Sequence, residues 1–331
     1  MRAQNISAFP ARQDEAAGHA VVIGLSAAIV AVWAEIPHVL AVAHESGAVG
    51  IPFGPFEPLS DRTLESGLRG WVQEQTSLQL GYVEQLYTFG DRGRHEVKHG
   101  EGPRIVSVGY LALTRAGGEA PAPGTSWRNW YAHFPWEDWR KGRPKLISET
   151  IRKRLQQWIG AGAERAARAE RVRLVFGRDE REWDEEKVLE RYELLYEAGL
   201  IDEAVQDGRV SARDALPAGT LGLPMIFDHR RILATAMGRL RAKLKYRPVI
   251  FELMPAEFTL LELQRTVEAI SGVKLHKQNF RRLVEGEGLV EGTGRMAPKT
   301  GGRPAELFRF RREVLAERPQ PGVKVPRCKR R

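Results

Sequence analysis

The residues best suited to chemistry lie in the last third of the chain, on the predicted outer face of a short basic helix. That face carries Lys277, Gln278, Asn279, Arg281 and Arg282. Glutamine and asparagine amides can hydrogen-bond an adenine through two atoms, and an arginine can pair with O6 and N7 of a guanine. Each such contact discriminates between bases by about 1–3 kcal/mol. These residue types at this spacing favour a surface that reads the major groove of DNA.

Two helices are needed to position that surface. Thr259 followed by Glu262 is a capping-box pattern, which predicts the start of a first helix, and Gly272 predicts its end. The second helix is predicted to begin near 275–276 and to end at Gly286. Its inward-facing residues are Phe280, Leu283 and Val284. In a helix-turn-helix of this kind the second helix enters the major groove.

A basic two-stranded wing is predicted after the second helix, beginning at Leu289. Within it, Lys299 and Arg303 are expected to hold phosphates or to probe a minor groove, which sets the register of the protein on DNA rather than its sequence preference. A connector with a short strand, 247–255, is predicted before the first helix. The alternative interpretation is a winged helix that contacts protein, in which several of these cations are merely solvated.

Charge is unevenly distributed along the 331 residues. Residues 226–331 hold 24 Lys and Arg against 11 Asp and Glu, whereas residues 1–225 hold 27 against 31, and the net charge of the chain is +9. This division indicates a polyanion partner for the C-terminal third alone, with a solvated basic surface as the alternative. The basic tail, 317–331, is predicted to be disordered and to add nonspecific affinity for phosphate.

The composition is that of an ordinary soluble globular protein, and the length predicts two or three modules. Cys328 is the only cysteine, which excludes an intramolecular disulfide and a thiolate-rich zinc site and fits a reducing cytoplasm. The apolar run Val21–Trp33 is shorter than the ~20 residues that a membrane-spanning helix needs. We therefore expect a cytoplasmic protein with no membrane partner.

The first half of the chain is predicted to place strands around one helix. The strands are predicted at Val21–Trp33, His38–Ala43, Tyr82–Asp91 and Arg104–Leu113. Gly47–Leu59 is predicted to be a loop. Ser60 is predicted to cap the helix, with Asp61 in its first turn, where the helix dipole favours an anion. The apolar face of this helix consists of Leu64, Leu68, Trp71 and Val72.

This order of elements resembles the Nudix fold, in which Arg69 matches a signature arginine and Asp61 stands where the first glutamate would be. Positions 70, 73 and 74 share one helix face because of their spacing. The resemblance implies that active members carry glutamates at all three, which hold a Mg²⁺ that bridges a diphosphate. This chain has Gly70, Gln73 and Glu74, and one carboxylate is too few for a hard divalent cation. We expect no metal site, no catalytic residue and no hydrolysis.

A closer resemblance is to the NrtR-type transcription regulators, which couple a Nudix-like sensor to a winged helix and control NAD metabolism. It rests on the runs Tyr82–Asp91, Arg104–Leu113, Phe227–Leu244, Asn279–Arg282 and Gly301–Ala305. The resemblance implies a nucleotide effector, which would be NAD, ADP-ribose or ATP, and no required cofactor. The candidate effector-binding residues are Arg69, Glu74, Arg92 and Arg104.

Residues 115–222 are an insertion relative to NrtR-type proteins, and with it the chain resembles the alphaproteobacterial NadQ-type branch. The insertion is predicted to contain two helices, Lys145–Ile159 and Glu185–Ala198. It also has an aromatic cluster, which could build a core or a dimer contact, or could stack a nicotinamide or adenine ring. The members of this cluster are Trp127, Trp130, Tyr131, Phe134, Trp136 and Trp139.

Together these inferences predict an α+β protein, a Nudix-like α/β/α sandwich with a helical insertion, followed by a winged helix-turn-helix domain. The predicted boundaries are 1–16 for a flexible N-terminus, 17–246 for the effector-binding domain, 247–316 for the winged helix and 317–331 for the tail. The predicted function is repression of NAD biosynthesis genes by a homodimer on a palindromic operator. The alternatives are an active Nudix hydrolase of ADP-ribose or a related dinucleotide with an appended nucleic-acid module, and a protein-binding scaffold.

Overall fold

The computed structural model describes residues 21–44, 47–91, 104–115, 122–211, 213–297 and 304–314. The chain divides into two compact units. The first unit comprises Met1–Val30, His38–Phe134 and Leu189–Ala236, and the second comprises Ala31–Pro37, Pro135–Val188 and Met237–Arg331. The predicted N-terminal segment 1–16 and tail 317–331 lie outside the described residues, and the domain boundaries drawn from the sequence stay predictions.

A seven-stranded sheet is the centre of the first unit. Its strands are β1 (Val21–Trp33), β2 (Ile36–Ala43), β3 (Val49–Gly50), β4 (Phe53–Pro55), β5 (Tyr82–Phe89), β6 (Arg104–Leu113) and β7 (Thr125–Asn129). The order is β3-β2-β1-β6-β5, with β4 paired to β1 and β7 paired to β2. β1 and β6 are parallel, whereas β4 with β1, β3 and β7 with β2, and β5 with β6 are antiparallel. β1 and β2 are neighbours in the sheet and are joined by a two-residue turn, Ala34–Glu35, with left-handed φ angles of 48° and 61°.

Nine α-helices occur among the described residues. They are α1 (Leu64–Thr76), α2 (Trp130–His133), α3 (Arg152–Ile159), α4 (Arg165–Phe176), α5 (Val188–Glu197), α6 (Asp202–Gln206), α7 (His229–Lys243), α8 (Leu260–Ser271) and α9 (Lys277–Gly286). A π-helical turn, Ile147–Ile151, leads into α3. The two helices predicted in the insertion correspond to α3 and α5, but α4 lies in a stretch where no helix was predicted. In the part of the chain that the structure describes, no helix is long and apolar enough to cross a membrane.

Helices cover both faces of the sheet, which confirms the predicted α/β/α sandwich. Leu68 and Val72 of α1 are buried in one hydrophobic cluster with alternate residues of the central strands, including Leu25, Val108 and Tyr110. On the opposite face, α7 approaches β6 closely. An added Cβ at Gly109 would lie 3.0 Å from a methyl carbon of Ile232, so glycine is what allows this contact.

The segment before α1 departs from the prediction in two ways. The predicted loop, Gly47–Leu59, contains the short strands β3 and β4. Ser60 is not the N-cap of α1. That position is Thr63, whose hydroxyl accepts from the Ser66 amide at 3.1 Å while the Thr63 amide donates to the Ser66 hydroxyl at 2.9 Å. Asp61 precedes the helix, and its carboxylate accepts from the Glu57 amide at 3.0 Å. The reciprocal hydrogen bonds of Thr63 and Ser66 satisfy two backbone amide donors at once, which a lone Ser60 cap could not do.

The C-terminal part of the second unit is a winged helix. After α8 and α9 come the wing strands β8 (Val290–Met296) and β9 (Glu306–Phe310). The prediction of a strand in the connector is wrong, because Val249–Leu253 forms a 3₁₀ turn. At its start the Phe251 amide donates a hydrogen bond to the Pro248 carbonyl at 3.2 Å. The ring of Phe251 stacks on that of Phe310 at 4.3 Å, which joins this turn to the wing.

The aromatic cluster of the insertion builds the cores of both units. Trp130, Tyr131 and Phe134 in the first unit and Trp136 and Trp139 in the second are at most 5% exposed. Their ring faces are covered by protein, so stacking of a nicotinamide or adenine ring on these five is wrong and the core interpretation is confirmed. Trp127 is half-buried against the cluster beneath α1.

A buried ion pair joins three segments of the second unit. The guanidinium of Arg241 in α7 donates to a Glu137 carboxylate oxygen at 2.7 Å, and both side chains are fully buried. The same guanidinium donates to the carbonyl of Ile270 near the end of α8 at 3.0 Å and to the carbonyl of Glu185 at 2.9 Å. Trp139 adds a backbone bond to the Gly272 carbonyl at 2.7 Å. This part of the insertion is therefore linked by hydrogen bonds to the end of α8 in the winged helix.

Replacement of Arg241 by methionine should strongly destabilise the protein, because it leaves the Glu137 carboxylate buried without its cation. Removal of one partner of a buried pair costs about 3–5 kcal/mol. The double variant R241M/E137Q should recover part of that loss, since no buried charge remains. Chemical denaturation followed by tryptophan fluorescence measures both. Glu164→Gln, which removes a partner of an exposed pair, is the control, and equal stability of R241M and this control would contradict the assignment.

Candidate nucleic-acid interface and sensor site

α9 presents the predicted DNA-reading face to solvent. Phe280 and Val284 are buried and Leu283 is half-buried, as predicted from their spacing. On the other side of the helix, five side chains are exposed, and they are Lys277, Gln278, Asn279, Arg281 and Arg282. The helix is thus divided between a packed stripe and a polar stripe, so its exposed donors and acceptors are directed outward without cost to the core.

A buried carboxylate fixes the turn between α8 and α9. Glu268 accepts from the Leu275 amide at 2.9 Å, from the Gln264 side chain at 2.9 Å and from Lys274 Nζ at 2.8 Å. Gln264 also donates to the Leu275 carbonyl at 3.0 Å. Burial alone would raise the pKa of Glu268, but the bonds from Lys274, Leu275 and Gln264 outweigh it, and the pKa lies below its ordinary value. Glu268 therefore stays ionised and holds α9 in place.

The cations of the outer face differ in their availability. In the described part of the chain, Lys277 and Arg282 have no ion-pair partner, whereas Arg281 pairs with Glu285 at 2.8 Å. That pair is exposed, so it is weak and a stronger anion can displace it. The N-cap residue, His276, makes no side-chain cap bond. The amides of the first turn of α9 are consequently left to an outside acceptor, as at helix ends that bind phosphate.

The wing strands carry basic residues that are already paired. Arg309 pairs with Glu291 at 2.6 Å across the hairpin, and Arg295 pairs with Glu257. The two wing residues predicted to bind phosphate, Lys299 and Arg303, lie outside the described residues, so their role stays a prediction.

The Nudix-like helix face does not fit a divalent metal. Gly70, Gln73 and Glu74 are exposed on α1, so one carboxylate stands where a Mg²⁺ would need several. The nearby carboxylates already have other partners. Asp61 accepts a hydrogen bond from the Glu57 amide, and Glu65 forms an ion pair with Arg69 at 2.9 Å. Within the described ranges, no group of three or more His, Cys, Asp or Glu residues is arranged to hold a metal.

The predicted effector-binding residues are not gathered at one point. Arg69 donates to Leu80 and Gly81 carbonyls at 2.5 and 3.2 Å, before β5 begins, whereas Arg104 donates to the Gly90 carbonyl at 2.8 Å, after β5 ends. The strand between them spans roughly 25 Å, so these two arginines cannot bind the same phosphate. Glu74 is exposed on α1, and Arg92 lies outside the described residues. The assignment of these four to an effector stays a prediction.

Three residues with clear structural roles, Gln264, Glu268 and Phe227, are not predicted from the sequence. Gln264 and Glu268 stand on the buried side of α8, and the signal was available, because a carboxylate at apolar spacing must have a partner. Phe227 has a left-handed φ of 51°, which strains a bulky residue, and its ring makes edge contacts with Phe53 and His229. Nothing in the local sequence indicates that strain.

Comparisons with known proteins agree with the C-terminal geometry. Residues 250–310 match the family model of the NrtR DNA-binding winged helix domain. A stretch of 90 residues is 43% identical to the ADPR responsive transcriptional repressor NtrR of Acinetobacter baylyi, which is 27% of this chain and 36% of that relative.

Residues 250–310 are therefore similar to an NrtR-type winged helix domain.

The fold of the longer chain is also similar to that of an NrtR protein. The crystal structure of Shewanella oneidensis NrtR complexed with a 27mer DNA matches 89% of this chain and 95% of its own, with a TM-score of 0.51 and 20% identity. A second crystal structure, of Shewanella oneidensis NrtR, matches 88% of this chain and 95% of its own, with a TM-score of 0.52 and 20% identity. At this identity the likeness concerns the fold, a Nudix-like domain joined to the NrtR-type winged helix.

Adding carboxylates at positions 70 and 73 should create a metal site on the exposed face of α1. An added Cβ at Gly70 meets no atom within 4 Å, so glutamate fits there. The double variant G70E/Q73E, with Glu74, places three carboxylates on one face and should raise Tm when Mg²⁺ is added. G70A/Q73A is the matched control, because it also removes the glycine from the helix interior, a gain in helix propensity of about 1 kcal/mol, without adding carboxylates. An equal Mg²⁺-dependent rise in the unmodified protein would show that its own residues already bind the ion.

Proposed function

We propose that this protein is a DNA-binding transcriptional repressor of NAD biosynthesis genes that acts in the cytoplasm. The observation that carries the proposal is the exposed polar face of α9, held at a fixed turn by Glu268, within a segment that matches the NrtR winged helix family. Gln278 and Asn279 supply bidentate donors and acceptors for adenine, and Lys277, Arg281 and Arg282 supply cations for guanine edges and phosphates. Lys299 and Arg303 are proposed to hold the backbone from the wing.

The Nudix-like domain is proposed to be the sensor of a nucleotide metabolite. The relative from Acinetobacter baylyi is described as ADPR responsive, which supports ADP-ribose before NAD or ATP as the effector. Glu74 and Arg104 are exposed and so accessible to such a ligand. Arg69 also supports the loop before β5 through its carbonyl bonds, so its substitution would test structure and binding together.

We propose further that the sensor binds its effector without hydrolysing it. Diphosphate hydrolysis in a metal-dependent site requires an ion that activates water and neutralises developing charge. The single carboxylate among positions 70, 73 and 74 supports a receptor rather than a hydrolase. No metal or cofactor is proposed as a requirement for DNA binding.

A repressor of this kind is proposed to work as a homodimer. A twofold-symmetric pair of winged helices matches a palindromic operator whose half-sites lie about one helical turn apart. An effector that binds one dimer conformation better than the other shifts their populations and thereby changes DNA affinity.

Removal of the two amides from α9 should reduce sequence discrimination. Each lost bidentate contact weakens operator binding by about 1–3 kcal/mol, so Q278A/N279A should bind its operator at least tenfold more weakly. Binding to a scrambled duplex should change little, because phosphate contacts remain. Gel shifts on DNA upstream of NAD-synthesis genes measure both affinities. Gln206→Ala, an exposed amide on α6, is the control, and an unchanged ratio of operator to scrambled affinity in Q278A/N279A would refute base reading by α9.

The effector assignment is tested by titration of ADP-ribose, NAD and ATP into the same gel shift. We expect one of them, with ADP-ribose favoured, to change operator affinity in the absence of added metal. Chromatography of the incubated nucleotide with Mg²⁺ present should return it intact. Mg²⁺-dependent cleavage that is lost in Glu74→Gln would instead establish the hydrolase.

A further inference from the structure

The inserted segment contains a second concentration of positive charge. Residues 140–178 hold 12 Lys and Arg against 3 Asp and Glu, a net charge of +9 in 39 residues. The rest of residues 1–225 holds the remaining 15 basic residues against 28 acidic ones. The mildly acidic average of the first two thirds therefore conceals a strongly basic module between two acidic stretches. Such a density of one sign produces a surface potential that attracts polyanions.

Some of these cations hold the module together. Arg152 of α3 donates to the Gly177 carbonyl at the end of α4, at 2.8 Å. Arg168 of α4 lies over the Trp158 ring at 4.9 Å and donates to the Trp158 carbonyl at 2.9 Å. α3 and α4 are thus held as a pair by arginines from each helix, which gives the other cations a fixed scaffold.

The other cations are exposed and largely unneutralised. Lys153 and Arg154 on α3 and Arg165 on α4 are exposed, and none of them has an ion-pair partner in the ranges that the structure describes. Burial, and then the charge of Arg143, lower the pKa of Arg152, so at least this pair of like charges in the module acts unfavourably. Holding like charges together is unfavourable unless an anion compensates them.

α4 also lacks the buried stripe that normally stabilises a surface helix. From Arg165 to Arg171 every residue is exposed except Arg168, which is half-buried, and Phe176 is the fully buried residue of the helix. The side chains between the arginines are small, with alanine at 166, 167 and 169. A helix that is polar and exposed on nearly all sides gains little stability from a core, and α4 is supported by the ion pairs of Arg168 with Glu164 and of Arg173 with Glu170. Small residues between the cations allow an extended backbone to approach closely.

The module is attached to the DNA-reading domain within the second unit. Trp139, just before residue 140, bonds to the Gly272 carbonyl at the end of α8, and Arg241 bonds to both Glu137 and Ile270. The basic segment thus follows directly on residues that are hydrogen-bonded to the winged helix, and both belong to one unit, so they can share a ligand.

We propose that α3 and α4 form a second nucleic-acid contact, which binds the phosphate backbone of the duplex that α9 reads. The contact is electrostatic and independent of base sequence, and it involves Lys153, Arg154 and Arg165. This inference rests on the proposed function, because the shared duplex is the operator. Neutralisation of phosphates releases condensed counterions, so the contact contributes directly to the salt dependence of binding.

The test is the triple variant K153Q/R154Q/R165Q, with binding measured from 50 to 200 mM salt on an operator duplex extended by about ten base pairs on each side, about one helical turn. The slope of log K against log salt should become shallower by about 0.9 for each lost phosphate contact, up to about 3 in total. Affinity for operator and scrambled duplexes should fall by the same factor. The charge-conserving variant K153R/R154K/R165K should behave like the unmodified protein. The matched control is R62Q/R115Q/R213Q, which removes three exposed charges from the first unit.

Failure of this inference is distinguishable from failure of the proposed function. An unchanged slope and affinity in K153Q/R154Q/R165Q, while Q278A/N279A loses operator preference, overturns the second contact and leaves the repressor intact. Equal loss in the first-unit control also overturns it, because the effect would then follow net charge alone. Loss of binding to phosphatidylserine vesicles with unchanged DNA binding overturns it in favour of a membrane surface. An unmodified protein that does not prefer its operator refutes the proposed function, and the slope on scrambled duplex still tests the basic module.

Discussion

The second unit depends on one buried arginine. Arg241 is surrounded by acceptors from three separate segments, which are the Glu137 carboxylate and the carbonyls of Glu185 and Ile270. A fully buried charge is tolerated only when its partners all stay in place, because an unpaired one costs several kcal/mol. The inserted segment, the end of α7 and the end of α8 are therefore constrained by the same side chain. Residues 135–188 of the insertion therefore belong to the same unit as the winged helix, whereas the rest of the insertion belongs to the first unit.

The parts of the fold that could be predicted from sequence are those with local causes. The capping box of Thr259 and Glu262 was confirmed because both partners lie within one turn. The start of α1 was wrong because Ser60 and Thr63 are both good capping residues, and the choice depends on whether a partner stands three residues later. Ser66 supplies that partner by a hydroxyl rather than by the usual glutamate or glutamine, so the pattern was not recognised.

The candidate sites can likewise be separated into features that have local causes in the sequence and features that do not. The outer face of α9 follows from its 3.6-residue periodicity, whereas the carbonyl contacts of Arg69 and Arg104 involve loops at opposite ends of β5 and have no local signature. The basic module, residues 140–178, does not stand out in the net charge of residues 1–225, because its charge of +9 is cancelled by the acidic residues on either side of it. The charge is visible when residues 140–178 are counted alone. Only the hydrogen bonds to the end of α8 show that this segment belongs with the winged helix.

Two kinds of contact have different consequences for a repressor. Cations that bind phosphate strengthen operator and nonspecific binding alike, so a module such as α3 and α4 raises affinity without changing the ratio that defines specificity. The ratio must then come from base edges, which Gln278 and Asn279 are proposed to contact through amides that carry no charge. An effector needs to shift binding by only 1–3 kcal/mol to act as a switch. Such a shift changes operator occupancy most when the dissociation constant lies near the concentration of the repressor. Electrostatic contacts with phosphates adjust that dissociation constant without altering which base sequence is preferred.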